Sequence, residues 1–575
     1  MFALLSFILA APLLTTAEQS GFTTTGRYQE VEALCAGFAQ KYPGRVRCFD
    51  FGTTPEGRKM KALALSQDGV LDSKSAKQKQ RPVLFVEGGI HAGEIDGKDA
   101  GFWLLPDLLD GKVAAGALGR VTLLFVPVFN VDGHERFGKN HRPNQRGPEE
   151  MGWRTTAQNL NLNRDWSKAD APEMRAMLKL INEWDPAVLV DLHVTDGAKF
   201  QHDVAVLVEP ILAGPVPLFG VAKALSQQLH ADLRKGGHLS IDRFYPAFEK
   251  DDDPSSGFAM GVAPPRLSSP YWALRNRIGI LVETHAWKPY KERVKATRDV
   301  LEALLAHADD ARAWRDAGLA IDEQGRASAG RRFVLAWDND DSKEKIDFLG
   351  YHYERVASEV SGATWTKYDE TKPEVWKVPL LTGVKPIASA TAPKAGYVVP
   401  APYAGVIGER LALHGIRFST IGKSQSVSAD VYKATSADFG AKSYEGHQTL
   451  RVKGAWERRA SAIEKGAIFV PVDQDRARLL VHLLEPEAPD SYLAWGFFNA
   501  SFEQKEYMEP YVAEEEARKM LAASSALKAE FEKKLFDDTK FRNDPEARLD
   551  FFYRRHPTWD QRLGEYPVLR VDIAP

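Results

Sequence analysis

The sequence predicts an open α/β sheet, mixed and mostly parallel and covered by helices on both faces, followed by an α+β domain. Short apolar runs without polar alternation recur between Val46 and Val282, and segments of helical periodicity stand between them. A strand that is apolar at successive positions buries both of its faces, as happens in a sheet sandwiched between helices. After the polar stretch DEQGRASAGRR, Asp322–Arg332, the texture changes to scattered strand-like runs and then a charged helical segment. A boundary is placed there, giving units at residues 20–312 and 330–575.

The elements follow in order. YQEVEALCAGFAQKY, Tyr28–Tyr42, has helical spacing, and Val46–Phe51, Met60–Leu65 and Pro82–Val86 are short apolar runs. Asp96–Leu109 reads as a helix, Val121–Val128 as a buried strand, Pro172–Trp184 as a helix and Ala187–His193 as a strand. Phe219–Leu233 is helical, Ile278–Val282 a strand and Lys291–Ala306 a helix. In the second half RFVLAW, QSVSADVYKA and AIFVPV read as strands and Val512–Leu535 as helix, with no repeat of fixed period and no low-complexity tract.

Composition narrows the class. The 575 residues are 44% hydrophobic and 27% charged with a formal net charge of -3, so large cores can be buried and no basic excess is present to attract a phosphate backbone. Nucleic acid is excluded as an expected partner. Met1–Leu14, MFALLSFILAAPLL, is apolar but too short to span a bilayer, and TTA follows with small residues. Residues 1–17 are therefore expected to be a signal peptide, the protein secreted or periplasmic, and no span to remain after its removal. The two cysteines, Cys35 and Cys48, can then bridge in an oxidising compartment.

The chemistry concentrates at predicted strand ends. VEGGIHAGEIDGKDA, Val86–Ala100, breaks a strand at a glycine pair and sets His91 and Glu94 three residues apart. VLVDLHVTDG ends a strand with Asp191 and His193 on one face. Burying both is costly unless something pairs them. Open sheets place their sites at carboxyl strand ends, and His91, Asn130, His193 and Glu283 all fall there. A catalytic zinc ion takes three nitrogen, sulfur or carboxylate ligands and keeps a fourth position open.

The surrounding motifs form an ordered set: NVDG at Asn130–Gly133, Arg154 and then Asn163-Arg164 within GWRTTAQNLNLNRDW, APEMRAM at Ala171–Met177, and GILVETHAW ending a strand in Glu283. This order resembles the zinc carboxypeptidase family, over roughly residues 80 to 290. The resemblance implies one Zn2+ per catalytic domain, held by His91, Glu94 and His193, with Glu283 as general base. It implies that Arg154 polarises the scissile carbonyl and that Asn163 and Arg164 grip a terminal carboxylate, so peptide or protein C-termini are the expected substrates. A planar, always-charged guanidinium suits such a carboxylate.

Three departures matter. The acidic residue that usually orients a zinc-bound histidine, two before the Asn-Arg pair, is Asn161 here, and Asp191 is a candidate to take over that task. Before Glu283 the alignment slips; Ser268 falls near the specificity position and Tyr271 is the nearby tyrosine, both expected to bind substrate, with no acidic or apolar pocket assigned. The half after about residue 315 has no counterpart in the family. Two other readings stay open: a zinc-dependent deacylase of the aspartoacylase type, typically shorter and cytosolic, and a non-catalytic peptide-binding protein, disfavoured because ligands, base and arginine are all present.

Overall fold

A computed structural model describes residues 13–575. Most of the expected signal peptide, residues 1–12, lies outside them. From Leu13 onward the chain packs against the body: Thr15 caps the short helix Thr16–Gln19 in a capping box with Glu18, and Ala17 is fully buried.

The strands of the first half are β1 Val46–Thr53, β2 Lys59–Leu65, β3 Val83–Gly88, β4 Thr122–Val126, β5 Val188–Val194, β6 Val204–Glu209, β7 Ser240–Ile241, β8 Phe258–Ala259 and β9 Ile278–Thr284. All but β8 form one sheet in the order β1-β2-β4-β3-β5-β9-β6-β7. The central pairs β4-β3, β3-β5 and β5-β9 are parallel, as is β6-β7, while β1-β2, β2-β4 and β9-β6 are antiparallel. Every residue of β3, β4 and β5 is buried, which is why those runs are mostly apolar and why helices must cover both faces. Helices Tyr28–Lys41, Asp96–Leu109, Pro172–Trp184, Val216–Lys235, Ser268–Leu274 and Tyr290–Ala306 supply the cover. Cys35 and Cys48 form a disulfide, with Cα atoms 5.4 Å apart, tying the first of these helices to β1.

The second half contributes β10 Arg332–Asn339, β11 Lys343–Ala357, β12 Thr364–Leu381, β13 Val384–Thr391, β14 Gly396–Val399, β15 Ser419–Thr420, β16 Gln425–Phe439, β17 Leu450–Ile463, β18 Ile468–Pro471 and β19 Glu565–Val571. A six-stranded sheet runs β15-β18-β14-β19-β16-β17. β11 and β12 make a long hairpin, and the end of β12 pairs in parallel with β8 at Leu380 and Leu381. The two halves thus share a sheet. They also share a core: one contiguous apolar cluster includes Phe38, Leu124, Val190 and Ile280 together with Tyr397, Ile407, Leu480 and Tyr566.

The segment expected as one helix over Val512–Leu535 is two, Pro510–Ala523 and Ser525–Asp537. Ser524 breaks it, because its backbone is extended and its side chain accepts from the Leu527 N–H as an N-cap.

Candidate active site

The turn after β3 is built by glycine. A Cβ on Gly88 would lie 2.9 Å from the Pro127 carbonyl oxygen, and Gly89 has φ +63°, a conformation that L side chains rarely adopt. The chain can therefore leave the sheet sharply and present His91 and Glu94 above the ends of β3 and β5. The His91 Glu94 Asn130 region is further fixed by the Asn130 side chain, which accepts from Gly133 N–H and donates to the Arg154 carbonyl.

His91, Glu94 and His193 converge. His91 Nδ1 lies 3.0 Å from one Glu94 carboxylate oxygen and His193 Nδ1 2.9 Å from the other, and one ligand atom from each residue falls within 4.8 Å of the rest. All three side chains are buried. The outer ring nitrogens are engaged as well: His91 Nε2 faces Asn161 Oδ1 at 3.1 Å and His193 Nε2 faces Asp191 Oδ2 at 2.7 Å. Outer-nitrogen partners of this kind fix the tautomer that leaves Nδ1 toward the centre. Asp191 therefore does not replace Asn161, as the sequence suggested it could: each histidine has its own acceptor.

The electrostatics match a ligand set. Burial lowers His91 to about 4, so its ring is neutral. Burial opposes ionisation of Glu94, yet His91, Arg142 and His193 outweigh it and hold the carboxylate well below its usual range. Burial likewise acts to lower His193, but Asp191 and Glu94 raise it well above an ordinary histidine. Two imidazole nitrogens and a carboxylate that converge in this way are a donor set that suits zinc, whose binding displaces protons from such groups.

Glu283 is the register partner of His193 across β5 and β9. It is 6% exposed, and its Oε2 is buried without a hydrogen-bond partner among the described residues. Burial raises it to about 8, with Glu94 and Asp191 adding to the effect against the pull of His193. A dication held by the neighbouring ligands favours the ionised form.

These groups open into a cavity of about 490 Å3, lined among others by Arg154, Asn163, Arg164 and Ser268. Arg154 is one-third exposed, with Nη1 3.4 Å from Glu94 Oε1. The Asn163 Oδ1 accepts the Ser268 N–H at 3.0 Å, and its Nδ2, which has two N–H groups, lies 3.3 Å from His193 Nε2. Arg164 donates to the Asn163 carbonyl and pairs with no carboxylate among the described residues. The Ser268 hydroxyl donates to Asp191 Oδ2, the same oxygen that faces His193.

Tyr271 is a correction. It is fully buried on the helix Ser268–Leu274 and does not line the cavity; its hydroxyl pairs with His414 Nδ1 at 2.7 Å and accepts from Arg275. The tyrosine that lines the cavity is instead Tyr245, on a loop earlier in the chain. Arg142 was also not legible: it is buried, with Nη2 2.8 Å from Glu94 Oε1 and 3.1 Å from Asp196 Oδ1, and nothing in the loop sequence NHRPNQRG sets it apart from a surface arginine. His285 stacks on Phe200 away from the centre, with ring centroids 3.8 Å apart.

Fold and site together define a helix-covered α/β protein with a candidate mononuclear metal centre at the carboxyl ends of its parallel strands. Residues 31–203 match the family model described as zinc carboxypeptidase. The chain is 23% identical over 468 residues to carboxypeptidase 2 of Trichophyton rubrum, covering 77% of this chain and 78% of that one. It is 29% identical over 123 residues, 20% of this chain and 27% of the other, to a Saccharomyces cerevisiae protein named as an inactive metallocarboxypeptidase. A solved metallo-carboxypeptidase from Burkholderia cenocepacia aligns over 49% of this chain and 69% of its own, at 18% identity and a TM-score of 0.37. Over residues 31–203 the chain is thus similar to the zinc carboxypeptidase family, and the match and these relatives support a peptide hydrolase.

Proposed function

We propose that the protein is a zinc-dependent exopeptidase that removes single residues from peptide carboxyl ends, with His91, Glu94 and His193 as the zinc ligands and Glu283 as the base. The observation that carries this reading is the convergence of the three ligand atoms within 4.8 Å beside the partnerless Glu283 carboxylate. Zinc, when bound there, supplies a positive charge that polarises a carbonyl and acidifies a water molecule.

The chain's own residues do the rest. Glu283 takes a proton from the water that adds to the scissile carbonyl carbon. As the C–N bond breaks it returns that proton to the leaving nitrogen, so the products are a shortened free acid and a released amino acid. Arg154 donates to the carbonyl oxygen as it gains negative charge. Arg164 and the Asn163 Nδ2 hold the substrate's terminal carboxylate, which is why an exopeptidase and not an internal cleaver is expected. Buried Arg142 orients Glu94. Residues 20–312 form the catalytic unit and 330–575 an accessory unit that braces it: Glu445 accepts the Asn161 N–H at 2.9 Å, next to the His91 acceptor. The apolar Met1–Leu14 run supports export.

Mass spectrometry of products from free-acid peptides, their C-terminally amidated twins and N-acyl amino acids, with a chelated control, tests the reading. Chelator-sensitive loss of one residue from free acids but not amides is expected. Release of acyl groups instead would make the protein a deacylase, and no reaction would leave a binding protein.

A further inference from the structure

The cavity that holds the metal-ligand set continues along the sheet to a second carboxylate. On β6, Ala205, Leu207 and Glu209 share one face, and their register partners on the antiparallel β9 are Glu283, Leu281 and Gly279. Leu207, Glu209, Leu281 and Glu283 all line the cavity. Alternation along the strands thus lays out a floor that starts at the proposed base, crosses two leucines and ends at Glu209, about 13 Å away by strand rise. Gly279, opposite Glu209, brings no side chain over it, since a Cβ there would lie 2.5 Å from the Ser269 carbonyl oxygen.

Glu209 has an acceptor's surroundings and no cation. Its Oε2 accepts the Ile211 N–H at 2.9 Å, and no lysine, arginine or histidine pairs with it among the described residues. Of the arginines that line the cavity, Arg243 is engaged with Glu344 at 2.9 Å. Burial raises Glu209 to about 7, opposed only by that backbone bond. A carboxylate placed at the end of an apolar channel without a cationic partner is costly for the protein and is relieved by an incoming cation.

We infer that Glu209 is the specificity-determining residue and that the released C-terminal residue carries a long cationic side chain, lysine or arginine, whose stem lies on Leu207 and Leu281 and whose charged end meets Glu209. The inference rests on the exopeptidase reading above. The far end of the floor from Glu283 thus carries an acid with no cationic partner among the described residues, which fits a basic residue whose stem is apolar and whose charge is terminal.

The test is a comparison of kcat/KM on peptides that differ only in the C-terminal residue: arginine, citrulline, lysine, leucine and glutamate. Citrulline has the shape of arginine without its charge, so the wild-type protein alone reports the effect. Arginine is expected to be released about 100-fold faster than citrulline, the loss typical of a buried charge left unpaired. Glu209→Gln is expected to erase that ratio while leaving release of leucine within about threefold, and Glu209→Asp to retain a preference for arginine over citrulline. Equal rates for arginine and citrulline, or faster release of leucine or glutamate than of either basic residue, would overturn the assignment of Glu209 while the exopeptidase reading survived. No release from any peptide would overturn both.

Discussion

Asp191 Oδ2 lies 2.7 Å from His193 Nε2, two residues further along the same face of one buried strand. The carboxylate accepts the outer ring proton and so turns Nδ1 toward Glu94 and His91. Asp191→Asn keeps the size but weakens the acceptor. Zinc affinity is expected to fall about 10 to 100-fold, the usual result of removing such a partner, as read by competition with a chromogenic chelator. Unchanged affinity would mean that packing alone orients the ring.

Arg154 reaches the cavity while Arg142 does not, although both approach Glu94 Oε1. Arg154→Ala is therefore expected to lower kcat/KM about 100 to 1000-fold with zinc content intact, the scale of a lost oxyanion donor. Arg142→Ala is expected to lower zinc content itself.

The pH dependence of stability has a local source at His238. Its ring is bonded to Asp203 and, at 2.8 Å, to Asp299, which Lys295 also contacts. Those two hydrogen bonds raise it to about 9. A raised histidine stabilises the fold fully below its unfolded value of about 6.5, and that stabilisation is lost as pH rises through the folded value. The melting-temperature gap between the wild type and His238→Gln should be widest below pH ~6.5 and close above ~9. A gap that widens with pH would contradict this.

Asp170 joins the two halves. It contacts Lys168 at 3.0 Å, Arg410 at 2.7 Å and His447 at 2.6 Å. Removing one member of a buried charge cluster strands the others, so Asp170→Ala is expected to cost about 3 kcal/mol in urea unfolding. A loss under about 0.5 kcal/mol, the scale of an exposed pair, would mean that this contact does not hold the halves together.

Much of this was legible in the chain and some of it was not, for physical reasons. The buried strands announced themselves because both faces are apolar, and the ligands because a strand that ends in paired polar residues is expensive without a purpose. β6 passed unnoticed, and with it Glu209: VAVLVE lies in a long stretch between a site turn and a helix, and its acid looks like a strand end facing water. The hairpin β11–β12 was missed because few of its residues are buried, so no apolar run marks it. Tyr245 and Arg142 are loop residues whose roles exist only through tertiary placement.

The central claim is that Glu283 moves the proton in a reaction whose metal is held by other residues. Glu283→Gln removes the base and keeps the shape, so the direct measurement is turnover of a free-acid peptide alongside zinc per chain by elemental analysis. One zinc per chain with activity below about a hundredth of the wild type is the predicted result. Zinc retained with activity above that level, or zinc lost together with activity, would contradict it.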